Sequence, residues 1–252
     1  MNKDVVIGLG EIGAPILKLL SKNFPTDGYD KLQKLNVQNI LSEITEIDFL
    51  HICIPFTKNF QLEVIKLEKK FKPKGIVIHS TISPNTTKKL QGKLNVPIIY
   101  SATRGVHKRM LKDLKRYTKF FSIDSSAPNS KWASKTFENR MKKCGVKSKK
   151  MSEPTTLELA KIVVDTSYFG WLINYAQISK IISDKYNVDF DEMWSFSDEI
   201  HKFLKNRPKM FPGFIGGHCV IPNLQLIDNE LLNQIERINK NFAKQKKKSK
   251  RL

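Results

Sequence analysis

Residues 4–20, DVVIGLGEIGAPILKLL, leave little freedom for how the chain begins. A short apolar run leads into Gly8, Gly10 and Gly13, and apolar residues then recur at helical spacing. That order reads as strand, tight turn and helix. Gly8 serves the turn, Gly10 admits a pyrophosphate close to the backbone, and Gly13 lets the helix lie against the strand. The amides around Glu11, Ile12 and Gly13 then open a helix toward an anion. Asp30, in DGYD, stands about twenty residues further on, where a carboxylate takes the ribose 2′-OH of NAD. No arginine directly follows it to favour a 2′-phosphate. The expected cofactor is NAD; a plain βα turn without cofactor is the competing reading. The second strand has to fit into the short DGYD segment.

Alternation continues downstream. IDFLHICIP, GIVIHSTIS, VPIIYSATRG and KFFSID read as strands, and QLEVIKLEKKF, TTKKLQGKL and residues 129–145 as helices. This predicts an α/β fold with a doubly wound, mostly parallel sheet. Ligands collect at the carboxyl ends of such strands. Pro55, Thr57, Ser80, Thr81, Thr103 and Arg104 fall there. The basic stretch KSKKMSEP predicts the end of a Rossmann-like domain over residues 1–150. Residues 155–186 hold no proline and are apolar nearly all round, which predicts one buried helix of about thirty residues. It would centre a small all-helical domain over residues 151–239 and pack against a second copy of the chain, giving a homodimer. VDFDEMWSFSDEIHKFL predicts one more helix, and FPGFIGGHCVIPNLQLI a loop before the terminal one.

The 252 residues give room for two such domains, and 40% of them are hydrophobic, enough for a core. No apolar run is long enough to span a membrane. Cys53, Cys144 and Cys219 are scattered and odd in number, so neither a disulfide framework nor a metal site is expected. With no signal-peptide pattern at the start, the expectation is a reduced, cytoplasmic protein. The formal net charge is +20. Residues 240–252 carry a run of lysines without an acid, which predicts a disordered basic tail. Nucleic acid or another polyanion is a secondary partner that such a run allows.

In sequence order, VIGLGEIGAPI, IDFLHICIP, IVIHSTISPNTT, TRGVHKRMLKDLKRYTKFFSI, SEPTTLELAKIVVDTSYFGWLINYAQIS and FPGFIGGHCVIP resemble the UDP-glucose/GDP-mannose dehydrogenase family over nearly the whole chain. The last is the most specific, matching the family's Gly-Gly-His-Cys catalytic loop. The resemblance implies an NAD-dependent dehydrogenase acting on an alcohol of a sugar or sugar nucleotide. Cys219 takes the place of the nucleophile that attacks an aldehyde made by a first hydride transfer. Lys161 takes that of the oxyanion-stabilising lysine, with Thr81 also in the catalytic set. Thr103, Arg104, Gly216, Gly217 and His218 fall at substrate positions. Cys219 is expected in a cleft between the domains, facing Lys161 and the nicotinamide.

Three residues depart from the family pattern. Asp165 stands where the family has asparagine, Asn223 where it has aspartate, and Thr103 where it has the glutamate that serves thioester hydrolysis. Too few residues follow Asn223 for the family's third domain, which grips the nucleotide. Two alternatives therefore stand beside the dehydrogenase reading. One is a one-step β-hydroxyacid-type dehydrogenase that uses Lys161 and not Cys219. The other is an NAD-binding partner subunit without turnover.

Overall fold

The computed structural model describes residues 2–32, 46–217 and 219–249. They form two compact units, Met1–Leu159 and Ala160–Leu252. Among the described residues, no helix is long and apolar enough to cross a membrane.

The first unit carries a seven-stranded sheet in the order β2-β1-β3-β4-β5-β6-β7. The strands are β1 (Lys3–Ile7), β2 (Thr26–Tyr29), β3 (Ile47–Ile52), β4 (Gly75–Ile78), β5 (Ile98–Tyr100), β6 (Lys119–Ile123) and β7 (Ser148–Lys150). All neighbours are parallel except β5 and β6. The helices are α1 (Gly13–Leu20), α2 (Phe60–Phe71), α3 (Thr86–Gln91), α4 (Met110–Arg116), α5 (Ser130–Lys143) and α6 (Pro154–Leu159). Successive strand residues point to opposite faces. Val6, Phe49, Val77 and Phe121 pack with α1, α4 and α5, while Val5, Leu50, Ile76 and Ile78 pack with α2, α3 and α6. Both faces are covered, so the central strands carry consecutive apolar residues, as in Val5–Ile7 and Ile76–Ile78, instead of alternating. The sheet is doubly wound, as expected, and its order reverses at β1, between β2 and β3.

Two elements went unseen in the sequence, α4 and β7, because both are rich in charge. β7 nonetheless pairs with β6 through its backbone, while Lys149 and Lys150 stay exposed. The first unit therefore runs past residue 150. Leu157 enters its core, and the buried Glu158 carboxylate accepts from the Asn85 and Thr87 amides and the Thr87 hydroxyl at 2.6, 3.0 and 2.6 Å. That bond set ties α6 to the start of α3 and moves the boundary to Leu159.

The second unit is all helical. It holds a π-helical segment (Ala160–Ser167), α7 (Tyr168–Lys185), α8 (Phe190–Leu204), α9 (Ile221–Leu224) and α10 (Glu230–Ser249). The long helix expected over residues 155–186 is present as α6, the π segment and α7 in unbroken succession. It starts at Pro154, a position where the missing N–H costs nothing. Asp189 caps α8 by accepting from the Glu192 amide at 2.7 Å.

Two expectations are corrected here. Part of the loop before the last helix is helical, as α9. The basic tail is not disordered up to residue 249, since α10 continues through it. Leu232, Ile235, Asn239 and Phe242 are buried at helical spacing, and Lys240 pairs with Glu236 one turn back. Phe242 thus anchors a segment whose lysines suggested a solvated end. Asn239 fixes α10 further. It accepts from Gln177 of α7 and from the Ile215 amide, at 3.0 and 2.8 Å.

Candidate functional site

The glycine turn after β1 is built as its residues require. Gly8 has φ +84°, and its amide donates to Tyr29 at 2.9 Å. A Cβ on Gly13 would lie 1.7 Å from the Gly8 carbonyl oxygen, so α1 approaches β1 more closely than any side chain allows. Gly10 differs. A Cβ there meets nothing within 4 Å. The space beside it is open, as a group bound against the backbone needs. Glu11 of the same turn pairs with His107 at 2.8 Å, and Ile12 packs on the core.

Asp30, at the end of β2, accepts from the Leu9 amide at 2.7 Å and the Leu32 amide at 2.9 Å. The first of these bonds, then the second, holds its carboxyl below the usual aspartate range. An ionised carboxylate is thereby fixed beside the turn. Pro55 and Thr57 are exposed just past β3, Ser80 donates to the Ile54 carbonyl at 2.5 Å, and Thr81 is half-buried past β4. These residues all lie at the carboxyl ends of β1 to β4, around the point where the strand order reverses.

Thr103 and Arg104 are engaged elsewhere. Lys119 of β6 is buried and donates to the Ser101 and Ala102 carbonyls and to Thr103 Oγ1, at 2.8, 3.2 and 3.0 Å. Arg104 donates to the Thr118 carbonyl at 2.7 Å, with its guanidinium over Phe120. Sequence reasoning missed Lys119, and it missed the buried pair beside it. His51 Nδ1 and His79 Nε2 lie 2.9 Å apart with rings stacked. Burial, then the nearby Lys119 and His51 charges, hold His79 well below the ordinary histidine range. One signal was available: a histidine in each of two apolar segments, FLHIC and IVIHS.

The second unit carries the other expected residues. Lys161 and Asp165 form an ion pair at 2.6 Å on the π segment, Lys161 largely buried and Asp165 half-exposed. Such segments interrupt α-helices frequently at functional sites, and nothing in the sequence announced this one. α9, which carries Asn223, packs against that segment. Val220, next to Cys219, lines the space over Gly170 of α7. Gly217 has φ +74°, which its lack of a side chain permits, and Gly216 stands beside Phe214. Cys219 is exposed. His218 lies outside the described residues. Among the described residues, no three His, Cys, Asp or Glu side chains are grouped to hold a metal.

Solved structures share this architecture across both units. The fold is the one found in sugar-nucleotide dehydrogenases. The UDP-D-ManNAc dehydrogenase of Pyrococcus horikoshii superposes with a TM-score of 0.77 at 20% identity, over 96% of this chain and 69% of that one. The UDP-N-acetyl-mannosamine dehydrogenase of Staphylococcus aureus gives 0.70 at 17%, over 95% and 68%. The 3-hydroxyisobutyrate dehydrogenase of Mycobacterium tuberculosis gives 0.67 at 15%, over 96% and 94%. No protein-family model and no curated protein matches the chain.

The three thiols differ enough to be told apart by alkylation. Cys53 is half-buried against Gly13, and burial pushes its thiol up to about 12. Cys144 is buried, its thiol raised by burial, and donates to the Leu19 carbonyl. The thiolate is the reacting species. Iodoacetamide at neutral pH is therefore expected to label exposed Cys219 at least about tenfold faster than either. Peptide mass mapping over time checks it, and equal rates at Cys219 and Cys53 would remove the case for a reactive Cys219.

Proposed function

We propose that this protein is an NAD-dependent dehydrogenase that oxidises an alcohol, with a sugar nucleotide as the leading substrate class. The observation that carries the reading is the turn at Gly8, Gly10 and Gly13, open only beside Gly10, with the ionised Asp30 fixed next to it. These residues fit a dinucleotide. The Gly10 side of the turn would admit the pyrophosphate, with the amides of Glu11, Ile12 and Gly13 at the start of α1. Asp30 would accept from a ribose hydroxyl, and Pro55, Ser80 and Thr81 would line the path toward the nicotinamide. Bound NAD supplies the hydride acceptor.

The chain's own residues would handle oxygen and proton. Lys161 would supply the ammonium that meets negative charge developing on the substrate oxygen, the role that the family resemblance implies for it. Asp165 divides that ammonium's charge, so less of it is available to the substrate or to a Cys219 thiolate. Thr103, bonded to Lys119, offers no carboxylate to activate water. The reaction on this reading ends after one hydride transfer. Calorimetric titration tests the first step. NAD is expected to bind more tightly than NADP because Asp30 repels a 2′-phosphate, and absence of binding by either at millimolar concentration would reject the proposal.

A one-step β-hydroxyacid dehydrogenase is the second reading. It is favoured by the 94% coverage of the 3-hydroxyisobutyrate enzyme. Substrate separates the two: NADH formed on a sugar nucleotide and not on a small β-hydroxyacid supports the first reading, and the reverse supports the second. NAD binding without turnover on either alcohol class would leave a cofactor-binding partner subunit.

We also infer a homodimer through the second unit. Val164 on the π segment, Tyr168 and Tyr175 on α7, and Phe196 and Phe203 on α8 are exposed, Phe196 by 82%. Covering each large apolar side chain is worth about 1.5–3 kcal/mol. Light scattering is expected to give twice the 29.0 kDa chain mass, and a monomer at micromolar concentration would refute it.

A further inference from the structure

We infer that the helical layer formed by α1, α4 and α5 is a docking face for the phosphodiester backbone of double-stranded nucleic acid. All residues of these three helices are described, and the helices share one core on one face of the sheet. Lys18 on α1, Lys112 and Lys115 on α4, and Lys131, Lys135 and Lys142 on α5 are exposed. The sole exposed carboxylate on the three helices is Glu138, since Asp113 is buried and paired with Arg109. None of the six lysines lies in a salt bridge among the described residues. Other surface lysines do, as in Lys31–Glu63, Lys74–Glu46, Lys180–Asp184 and Lys202–Glu199. The layer thus presents these six ammoniums against one exposed carboxylate, whereas Glu63 and Glu68 stand among the lysines of α2.

The chemistry of the layer selects among polyanions. These helices expose no large apolar side chain, so they offer nothing to bury in a lipid surface. They expose no aromatic ring either, because Trp132 packs against the core, so unpaired bases would find no stacking platform. What remains is a lattice of lysine ammoniums. Such groups act as point charges on flexible stems and suit a backbone read without regard to sequence. Size agrees. A 14-residue helix such as α5 is about 21 Å long. α4 lies beside α1 in the same layer, at the usual helix spacing of about 8–10 Å. The length of α5 faces roughly six base pairs of duplex, whose phosphates are spaced by about 3.4 Å along each strand. The inference uses none of the residues proposed to hold NAD, and either can fail without the other.

The test is fluorescence anisotropy of the full chain with a labelled duplex of about 20 base pairs, from about 50 to 200 mM salt. Binding is expected to weaken steeply with salt. Lys131→Glu, Lys135→Glu and Lys142→Glu together should weaken it at least tenfold at the lower salt. They should also flatten the log–log salt slope by about 2.7. The corresponding glutamine variant should flatten it too, and both should melt as the wild type does, because these side chains are exposed and outside any ion pair. Lys244→Glu with Lys246→Glu, on α10, should change little. Three results would overturn the inference: no duplex binding at 50 mM salt; loss of binding in the α10 variant with none in the α5 variant; or binding of anionic phosphatidylserine vesicles that duplex does not displace.

Discussion

Gly13→Ala is expected to lower the melting temperature by about 10 °C, while Gly10→Val leaves it nearly unchanged and abolishes NAD binding. The two glycines are three residues apart in one turn and meet different surroundings. At Gly13 the added methyl falls 1.7 Å from the Gly8 carbonyl oxygen, with the Gly8 carbonyl carbon at 2.9 Å and Cys53 Cβ at 3.1 Å. These are backbone atoms or atoms next to it, so no flexible side chain can yield. Either α1 shifts outward or the Gly8 turn opens, and both disturb the packing of Ile16, Leu17 and Leu20 beneath. Overpacking of this kind costs about 3 kcal/mol, or roughly 10 °C in a domain of this size. At Gly10 the same methyl meets nothing within 4 Å, so the fold has no reason to object. The cost falls on whatever occupies that space. Calorimetric melts and NAD titration of both variants check the pair. A Gly13→Ala protein that melts like wild type, or a Gly10→Val protein that keeps its NAD affinity, would contradict the account.

Acid should destabilise the first unit through His79. Its folded pKa lies well below the ordinary value of 6.5, because burial and then Lys119 and His51 oppose a charge there. In the unfolded chain it titrates normally. A depressed folded pKa means that the unfolded state takes up the proton first. The stability contribution is therefore complete above about pH 6.5 and is lost progressively as pH falls below it, down to the folded pKa. Between those two limits the slope is at most about 1.4 kcal/mol per pH unit, so the urea midpoint should fall from pH 7.5 to pH 5. Asp30 and Asp113, both held low by backbone amides, act only near and below their ordinary 3.8. Glu158, raised by burial, acts with the opposite sign. Urea midpoints at pH 7.5 and pH 5, for wild type and His79→Gln, isolate the histidine, since the other groups are common to both. An equal fall in midpoint for the two proteins would show that His79 is not the group responsible.

What was legible in the sequence is what depends on near neighbours. A strand running into three spaced glycines and then a helix is local stereochemistry, so the β1 turn and α1 could be read directly. So could Asp30, because β2 returns alongside β1 after a short crossover. The apolar segments of β3 to β6 fixed a doubly wound sheet through their alternation with helices, and topology then put Pro55, Ser80 and Thr81 at the strand ends. The charged α4 and β7 escaped notice because a helix or strand can be held by its backbone and a few apolar contacts while its other side chains are solvated. The basic end of α10 misled for the same reason, as Phe242 alone reveals its buried face.

Other features exist only once distant segments meet. Glu158 caps α3 from 71 residues away, and this contact, not the basic stretch before it, sets the edge of the first unit. His51 and His79 share a site because β3 and β4 are neighbours. Lys119 reaches Thr103 because β6 runs antiparallel to β5 and brings its first residue to the carboxyl end of that strand. The lysines of α1, α4 and α5 are scattered over more than a hundred residues and become one charged layer only through a shared core. Composition could report that the chain is basic, but only packing decides which cations stand together and which carboxylates reach them.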